Sequence, residues 1–108
     1  MTPEQRLQEY LKTVRAVMPP TPEPKGLYRP AVAAGGLLFT SGHLPIDAEG
    51  RLIQGTLGGD LEEEEGRRAA LLAGLGILAS VRAALGGLDR IRRVVKLTGL
   101  VQSTPEFT

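Results

Sequence analysis

The spacing of apolar residues near the N-terminus predicts an amphipathic helix. One face of this helix would carry Leu7, Leu11, Val14 and Met18. Thr2 can cap the helix, Pro3 suits its first turn, and Gln5 can complete a capping box. The prolines at 19–20 are expected to end it. An extended, solvated connector is predicted over 21–25, because proline fixes φ and supplies no amide donor.

Short alternating segments after the connector predict β-strands. Residues 28–34 and 37–41 flank Gly35 and Gly36, a two-residue loop that accepts the positive φ angles of hairpin turns. A second turn at 47–50 predicts a third strand at 51–54, pairing with the segment that follows the hairpin. The sequence therefore predicts a β-hairpin and one further short strand.

The register of the hairpin follows from its loop. If Ala34 pairs with Leu37, Tyr28 lies opposite His43. Cross-strand partners share a face, and Ser41, two residues before His43, shares it too. We therefore expect Tyr28, Ser41 and His43 to point the same way.

A longer amphipathic pattern predicts a second helix of about 25 residues. Asp60 is a strong N-cap candidate, the glutamates at 62–65 suit the positive end of the helix dipole, and Gly86 with Gly87 suits the left-handed stop. Small residues inside the helix indicate the close approach of a sheet, and they are Gly66, Gly74 and Gly76. The alternating residues at 91–101 then predict a returning strand.

Composition narrows the class of protein. The 108 residues suit one domain, and we divide them into an N-terminal helix with a proline-rich connector (1–24) and the domain proper (25–108). The formal net charge of +1 disfavours nucleic-acid partners. The absence of cysteine excludes disulfides and thiolate zinc sites, and the single histidine, His43, disfavours a metal site. No apolar run approaches ~20 residues, which predicts a cytoplasmic protein without a membrane partner.

The order of elements and three short motifs point to a known family. A hairpin, a third strand, a long helix and a returning strand form the first half of a ferredoxin-like split β-α-β arrangement. The motifs lie at 26–32 (Gly-Leu-Tyr-Arg-Pro-Ala-Val), 38–45 (Leu-Phe-Thr-Ser-Gly-His-Leu-Pro) and 94–98 (Val-Val-Lys-Leu-Thr). Together they resemble the RidA/YjgF/L-PSP family, and most closely a longer YjgF-like subgroup. The resemblance covers about 25–107.

That resemblance implies an α+β, chorismate-mutase-like fold with helices on one face of a sheet. It also implies a homotrimer whose ligand clefts lie between subunits, with no cofactor. Active members of the family hydrolyse 2-imino or enamine acids to 2-oxo acids and ammonia. A small 2-imino or 2-oxo acid is therefore the implied ligand.

The site residues are carried over position by position. Tyr28 matches the family's cleft tyrosine, and Ser41 with Gly42 matches its Ser-Gly pair, so Tyr28 and Ser41 are predicted to be catalytic. Gly42, His43 and Arg29 are predicted to bind substrate. His43 stands where the family usually has glutamine, and Arg29 stands where it usually has serine.

The family's carboxylate-binding arginine and nearby glutamate belong to strands that would follow Thr108. We therefore expect the C-terminal part of the fold to be missing, although Thr104, Pro105 and Glu106 carry the signals of a helix start. Without that arginine, this chain should hydrolyse 2-imino acids weakly or not at all.

Other interpretations stay open. The chain could be a non-catalytic protein of the same fold that binds a small ligand or supports an assembly. A weaker alternative is an endoribonuclease or translation inhibitor that uses the net charge of +3 at 89–96, which a solvated strand edge also explains. His43 could be a general base or a hydrogen-bonded structural histidine, and Tyr28 a packed aromatic residue. The glutamates at 62–65 suit a helix start better than a ligand cluster.

Overall fold

The computed structural model describes residues 1–24 and 26–108. Lys25, predicted as the last residue of the connector and the first of the domain, lies outside the described residues. Four elements follow one another: α1 (Pro3–Val14), β1 (Ala31–Ala34), β2 (Leu37–Thr40) and α2 (Glu63–Leu85). The predicted α+β class is confirmed.

Helix α1 begins as predicted and ends earlier. The Gln5 amide donates to the Thr2 hydroxyl at 3.2 Å, and the Thr2 amide donates to the Gln5 side chain at 2.9 Å. The predicted end at 19–20 is wrong, because Arg15 adopts a left-handed conformation with φ 54°. Its amide reaches back to the carbonyls of Leu11 and Lys12 and closes the helix after Val14.

The hairpin has the predicted register. Ala34 pairs with Leu37 and Ala31 with Thr40, across a loop in which Gly35 and Gly36 have φ of 58° and 79°. Both strands are shorter than predicted, although the amide of Ser41 donates to the carbonyl of Pro30 at 2.9 Å and continues the register by one pair. The predicted third strand is reduced to a single bridge between Ile46 and Leu52.

Helix α2 is the central element. It packs across both strands of the hairpin. Its residues Leu75 and Val81 form one core with Leu7 and Leu11 of α1 and with Leu88, which follows α2. By length and composition α2 could cross a membrane, although the sequence has no continuous apolar run of that length. Its place in the core instead suits the central helix of a compact, soluble domain.

The two ends of α2 differ in how well they were predicted. Gly86 provides the expected left-handed stop, with φ 75°. The N-cap is Glu62, whose amide donates to Glu65 at 3.0 Å, and not Asp60. Asp60 instead accepts from the amide of Thr56 at 2.6 Å, because the preceding loop turns back on itself.

The helix glycines meet loops and not the sheet. A Cβ on Gly66 would lie 2.5 Å from the side chain of Leu57, and a Cβ on Gly76 would lie 3.7 Å from the ring of His43. Gly74 has open space around it. The predicted approach of a sheet to these glycines is therefore wrong: Gly66 and Gly76 accommodate loop residues, and Gly74 has no close neighbour.

The predicted strand at 91–101 is wrong. The structure shows no regular element there, and several apolar side chains are exposed: Val94, Val95, Leu97, Leu100 and Val101. A strand needs a neighbour for its backbone groups, and no described strand pairs with this segment. The predicted helix start after residue 103 forms a turn, in which the Phe107 amide donates to the Thr104 carbonyl at 3.2 Å.

Candidate active site

A cavity of about 320 Å³ lies where the proline-rich connector, the open end of the hairpin and α2 meet. Tyr28, Ser41, Gly42 and His43 line it, together with Pro30. The structure thus brings four of the five predicted site residues to one cavity. Arg29 is exposed and is not part of the lining, as the alternation of side chains along an extended segment leads one to expect.

His43 uses both of its ring nitrogens inside the protein. Nδ1 lies 2.9 Å from the carbonyl oxygen of Ser41, and Nε2 lies 2.7 Å from the hydroxyl oxygen of Ser80. Because a carbonyl oxygen only accepts, Nδ1 must carry a proton and donate it. In a neutral ring the Ser80 hydroxyl then donates to Nε2. This bonding favours the structural interpretation of His43 over a free general base.

Ser80 does not belong to the cavity. Its contact with His43 has the geometry of a nucleophile beside a base, with the carbonyl of Ser41 orienting the ring. However, Ser80 is only 3% exposed and is absent from the cavity lining. A substrate cannot reach this hydroxyl, so its role is to hold the ring.

Gly76 lets the histidine approach α2 closely. A Cβ at this position would lie 3.7 Å from Cδ2 of His43 and 3.8 Å from Cγ of Pro22. Both the His43 ring and the connector therefore rest against the same turn of the helix. Neither Gly76 nor Ser80 was singled out as a site residue, although the small helix residues indicated close packing there.

Two hydroxyl-bearing residues of the lining, Tyr28 and Ser41, flank the open end of the hairpin. Ser41 is half-buried, and its hydroxyl lies 3.5 Å from the carbonyl of Pro30, a long contact that a ligand could replace. Tyr28 is 44% exposed at the rim. Such groups can position a water molecule or donate a hydrogen bond to an imine nitrogen.

The connector forms a whole wall of the cavity. Residues Pro19, Pro20, Thr21, Pro22 and Glu23 all belong to the lining. Sequence analysis placed the end of the helix at 19–20 and a solvated connector at 21–25, because local pattern does not show what a proline-rich segment packs against. Among the described lining residues, Glu23 is the one carboxylate, and there is no lysine or arginine.

The remaining edge of the cavity includes Ile46 and Gly50, which flank or belong to a tight turn at 47–50. Asp47 is 4% exposed and accepts hydrogen bonds from the amides of Glu49 at 3.0 Å and Arg51 at 2.8 Å. The Arg51 guanidinium adds a contact of 3.1 Å. These donors, above all the amide of Arg51, hold the pKa of the Asp47 carboxyl below its ordinary value.

We also considered a second cavity and a metal site, and neither contains the predicted site residues. A larger depression of about 540 Å³ runs along α1 and contains Lys12, Arg15 and Arg82, but none of the predicted site residues. Within residues 1–24 and 26–108 there is no group of three or more histidine, aspartate or glutamate side chains that could hold a metal ion.

Comparison with known proteins gives consistent matches. Residues 11–106 match a family described as "YjgF/chorismate mutase-like, putative endoribonuclease". The chain is 38% identical over 103 residues to Protein TCP17 of Trypanosoma cruzi, an alignment that covers 95% of this chain and 64% of that protein.

Two crystal structures share the fold. The protein Atu1372 of Agrobacterium tumefaciens, of unknown function, has a TM-score of 0.81 at 39% identity, over 94% of this chain and 63% of its own. A protein of Shewanella oneidensis MR-1, described as a "putative endoribonuclease", has a TM-score of 0.74 at 36% identity, over 87% of this chain and 60% of its own. The chain therefore spans a little under two thirds of the length of these relatives.

Proposed function

The chain belongs to the YjgF/chorismate mutase-like family, and from this premise we propose that it hydrolyses imines or enamines in the cavity beside Tyr28 and Ser41. The observation that carries the proposal is that Tyr28, Ser41, Gly42 and His43, matched to the family's motifs, line one cavity. The 2-imino and enamine acids, which yield 2-oxo acids and ammonia, are the reference substrates.

The reaction needs a positioned water and a proton path. The water oxygen forms a bond to the C=N carbon, and the π electrons move to nitrogen. One proton passes from the added water to that nitrogen and gives a carbinolamine. A second proton passes from the carbinolamine hydroxyl to the nitrogen, and the C–N bond breaks so that ammonia leaves as the C=O bond forms. The hydroxyls of Ser41 and Tyr28 are suited to orient the water and to relay the proton, which is where proximity contributes to the rate.

Binding of a carboxylate is the weak point of the site. A small anionic substrate is usually held by a bidentate arginine, and orientation of this kind can supply about 7 kcal/mol or more of rate enhancement. The described lining offers no such cation. Turnover of 2-imino acids by the 108-residue chain should therefore be slow. A homotrimer with clefts between subunits, acting in the cytoplasm, is part of this proposal.

A second candidate is a non-catalytic protein that binds a small ligand in the same cavity. The bonding of His43 favours it, because both ring nitrogens are engaged within the chain and no unbonded imidazole base faces the cavity. Cleavage of RNA fits less well, since the basic segment around Arg92 and Arg93 lacks interleaved aromatic residues for base stacking.

The two tyrosines provide a matched test. 2-Iminopropionate generated in place would be the substrate, and release of keto acid above the spontaneous rate the readout. Tyr28→Phe and Ser41→Ala should each lower the accelerated rate about tenfold or more. Tyr10→Phe, on α1 and outside the cavity, should leave it unchanged. No acceleration by the native chain, together with saturable pyruvate binding, would favour the second candidate.

A further inference from the structure

The proline-rich wall also bears on which imines the cavity would accept. We propose that Glu23 is a specificity-determining residue, which directs the site toward imines that carry positive charge on nitrogen and lack a carboxylate. This inference rests on the proposed function, because it names the substrate class of the same cavity.

The wall is built to hold its position. The prolines at 19, 20, 22 and 24 each fix φ and so restrict the backbone before any ligand binds. At one end the connector follows α1, whose Leu7 and Leu11 are buried in the core. Near the other end Pro22 lies against Gly76, where an added Cβ would be 3.8 Å from its ring. Glu23 follows directly.

Among the described lining residues, Glu23 is the one that carries a full charge. Glu23 contributes a carboxylate, while the other polar side chains of the described lining are hydroxyls and the imidazole of His43. That imidazole presents no unoccupied N–H to a ligand, since Ser41 and Ser80 engage both nitrogens. Within the described lining, a ligand carboxylate would therefore meet repulsion from Glu23 and no cationic donor. A protonated imine would be attracted.

The same charge favours the reactive form of the substrate. A carboxylate near a basic nitrogen stabilises its protonated state. The iminium carbon is more electrophilic than that of a neutral imine, so a larger protonated fraction raises the rate at which water adds. For protonated 1-pyrroline, water would add at C2 and a proton would move from the added oxygen to nitrogen. The C–N bond would then break as the remaining hydroxyl proton is released and the C=O bond forms, which gives 4-aminobutanal. No oxidant or further reactant is needed.

Binding of three probes of similar size tests the charge preference directly. Pyrrolidine is a cation at neutral pH, cyclopentanone is uncharged, and cyclopentanecarboxylate is an anion. Because Glu23 is exposed, its effect is screened. We expect the native chain to bind the cation about five- to tenfold more tightly than the anion at low salt. Calorimetric titration or ligand-observed NMR would measure the three dissociation constants.

Two glutamate variants separate a local effect from net charge. Glu23→Gln should reduce the cation-to-anion ratio to about twofold or less and leave cyclopentanone binding unchanged. Glu9→Gln, on the exposed side of α1, makes the same change in net charge and should keep the native ratio. Equal binding of cation and anion, identical behaviour of the two variants, or no binding of any probe would overturn the proposal.

Turnover distinguishes this inference from the proposed function. The expected outcome is faster hydrolysis of 1-pyrroline than of 1-pyrroline-2-carboxylate, with product trapped as it forms. If the probes rank as expected and neither imine is hydrolysed, the charge preference stands and the hydrolase proposal fails. If the carboxylated imine is hydrolysed faster, the hydrolase proposal stands and the role of Glu23 is overturned.

Discussion

Nε2 of His43 lies 2.7 Å from the hydroxyl of Ser80, and this hydrogen bond ties the segment after β2 to a buried turn of α2. The other ring nitrogen donates to the carbonyl of Ser41 at 2.9 Å. The ring is therefore fixed at both ends, and with it the backbone that presents Ser41 and Gly42 to the cavity.

Replacing Ser80 by alanine should loosen this brace. The change leaves Nε2 without its partner in a partly buried place, which we expect to lower the free energy of unfolding by about 1–2 kcal/mol. Urea denaturation would measure the loss, and Ser103→Ala, at an exposed position, is the control. Equal stability of the native chain and Ser80→Ala would show that the hydrogen bond contributes nothing net.

The pairing of Glu4 with Arg82 makes stability depend on pH. Both carboxylate oxygens of Glu4 accept from the guanidinium, at 3.0 and 2.8 Å, and the amide of Leu88 adds a contact at 3.2 Å. The hydrogen bond from Arg82 is the largest cause that lowers the pKa of Glu4 below its ordinary value of 4.5. Since the folded pKa is the lower one, the contribution is complete above the unfolded pKa and is lost as pH falls through the folded pKa.

Glu4→Gln should therefore destabilise the protein near neutral pH by about 1 kcal/mol and have little effect in strong acid. Melting temperatures measured from about pH 2 to pH 7 would show the native and variant curves converging at the acidic end. Glu9→Gln, with no ion pair in the described structure, should follow the native curve. A constant offset between the Glu4→Gln and native curves at every pH would contradict the assigned cause.

The end of α1 predicts a stabilising substitution. Arg15 adopts φ 54°, a conformation that costs an L-residue about 1 kcal/mol and that glycine adopts freely. Arg15→Gly should raise the free energy of unfolding by up to about 1 kcal/mol. Lys12→Gly, inside the same helix, should lower it by a similar amount. Thermal denaturation of the two variants would show whether each is more or less stable than the native chain. A loss of stability in Arg15→Gly would contradict the prediction.

The features that were predicted correctly are the ones decided by a few neighbouring residues. Thr2 with Gln5 is enough to define a capping box, Gly35 with Gly36 defines the hairpin register, and Gly86 supplies a left-handed stop. The end of α1 was not predicted because Arg15 adopts a left-handed conformation, which is uncommon for arginine and is not indicated by the sequence.

Features that depend on distant partners could not be predicted in the same way. The β-branched pattern at 91–101 favours a strand, but pattern alone does not supply the neighbour that a strand needs. The part of the cavity wall at 21–23 was predicted as a solvated connector, since nothing in its composition indicates that Pro22 packs near Gly76. Sequence analysis located the site residues beside the hairpin, but it did not predict that the connector, including Glu23, lines the same cavity.

The glycines of α2 give a matched pair of stability tests. Gly74→Ala adds a methyl group into open space and should raise the free energy of unfolding by up to about 1 kcal/mol. Gly66→Ala places the same atom 2.5 Å from Cδ2 of Leu57. Leu57 is held by backbone bonds to Gln102 and Thr104, so its side chain must move alone. We expect Gly66→Ala to be at least about 1 kcal/mol less stable than Gly74→Ala, and equal stability would contradict this.

The exposed segment at 91–101 predicts self-association. Val95 and Leu97 are 75% and 76% exposed within a stretch of apolar neighbours, and contiguous exposed apolar surface of this kind usually mediates association. The native chain should therefore show a mass above 11.5 kDa in size-exclusion chromatography with light scattering, increasing with concentration. Val95→Lys combined with Leu97→Lys should shift it toward the monomer, since charge opposes edge-to-edge pairing. Leu27→Lys, at a fully exposed leucine outside this segment, should not. A native chain that is monomeric at every concentration would contradict the prediction.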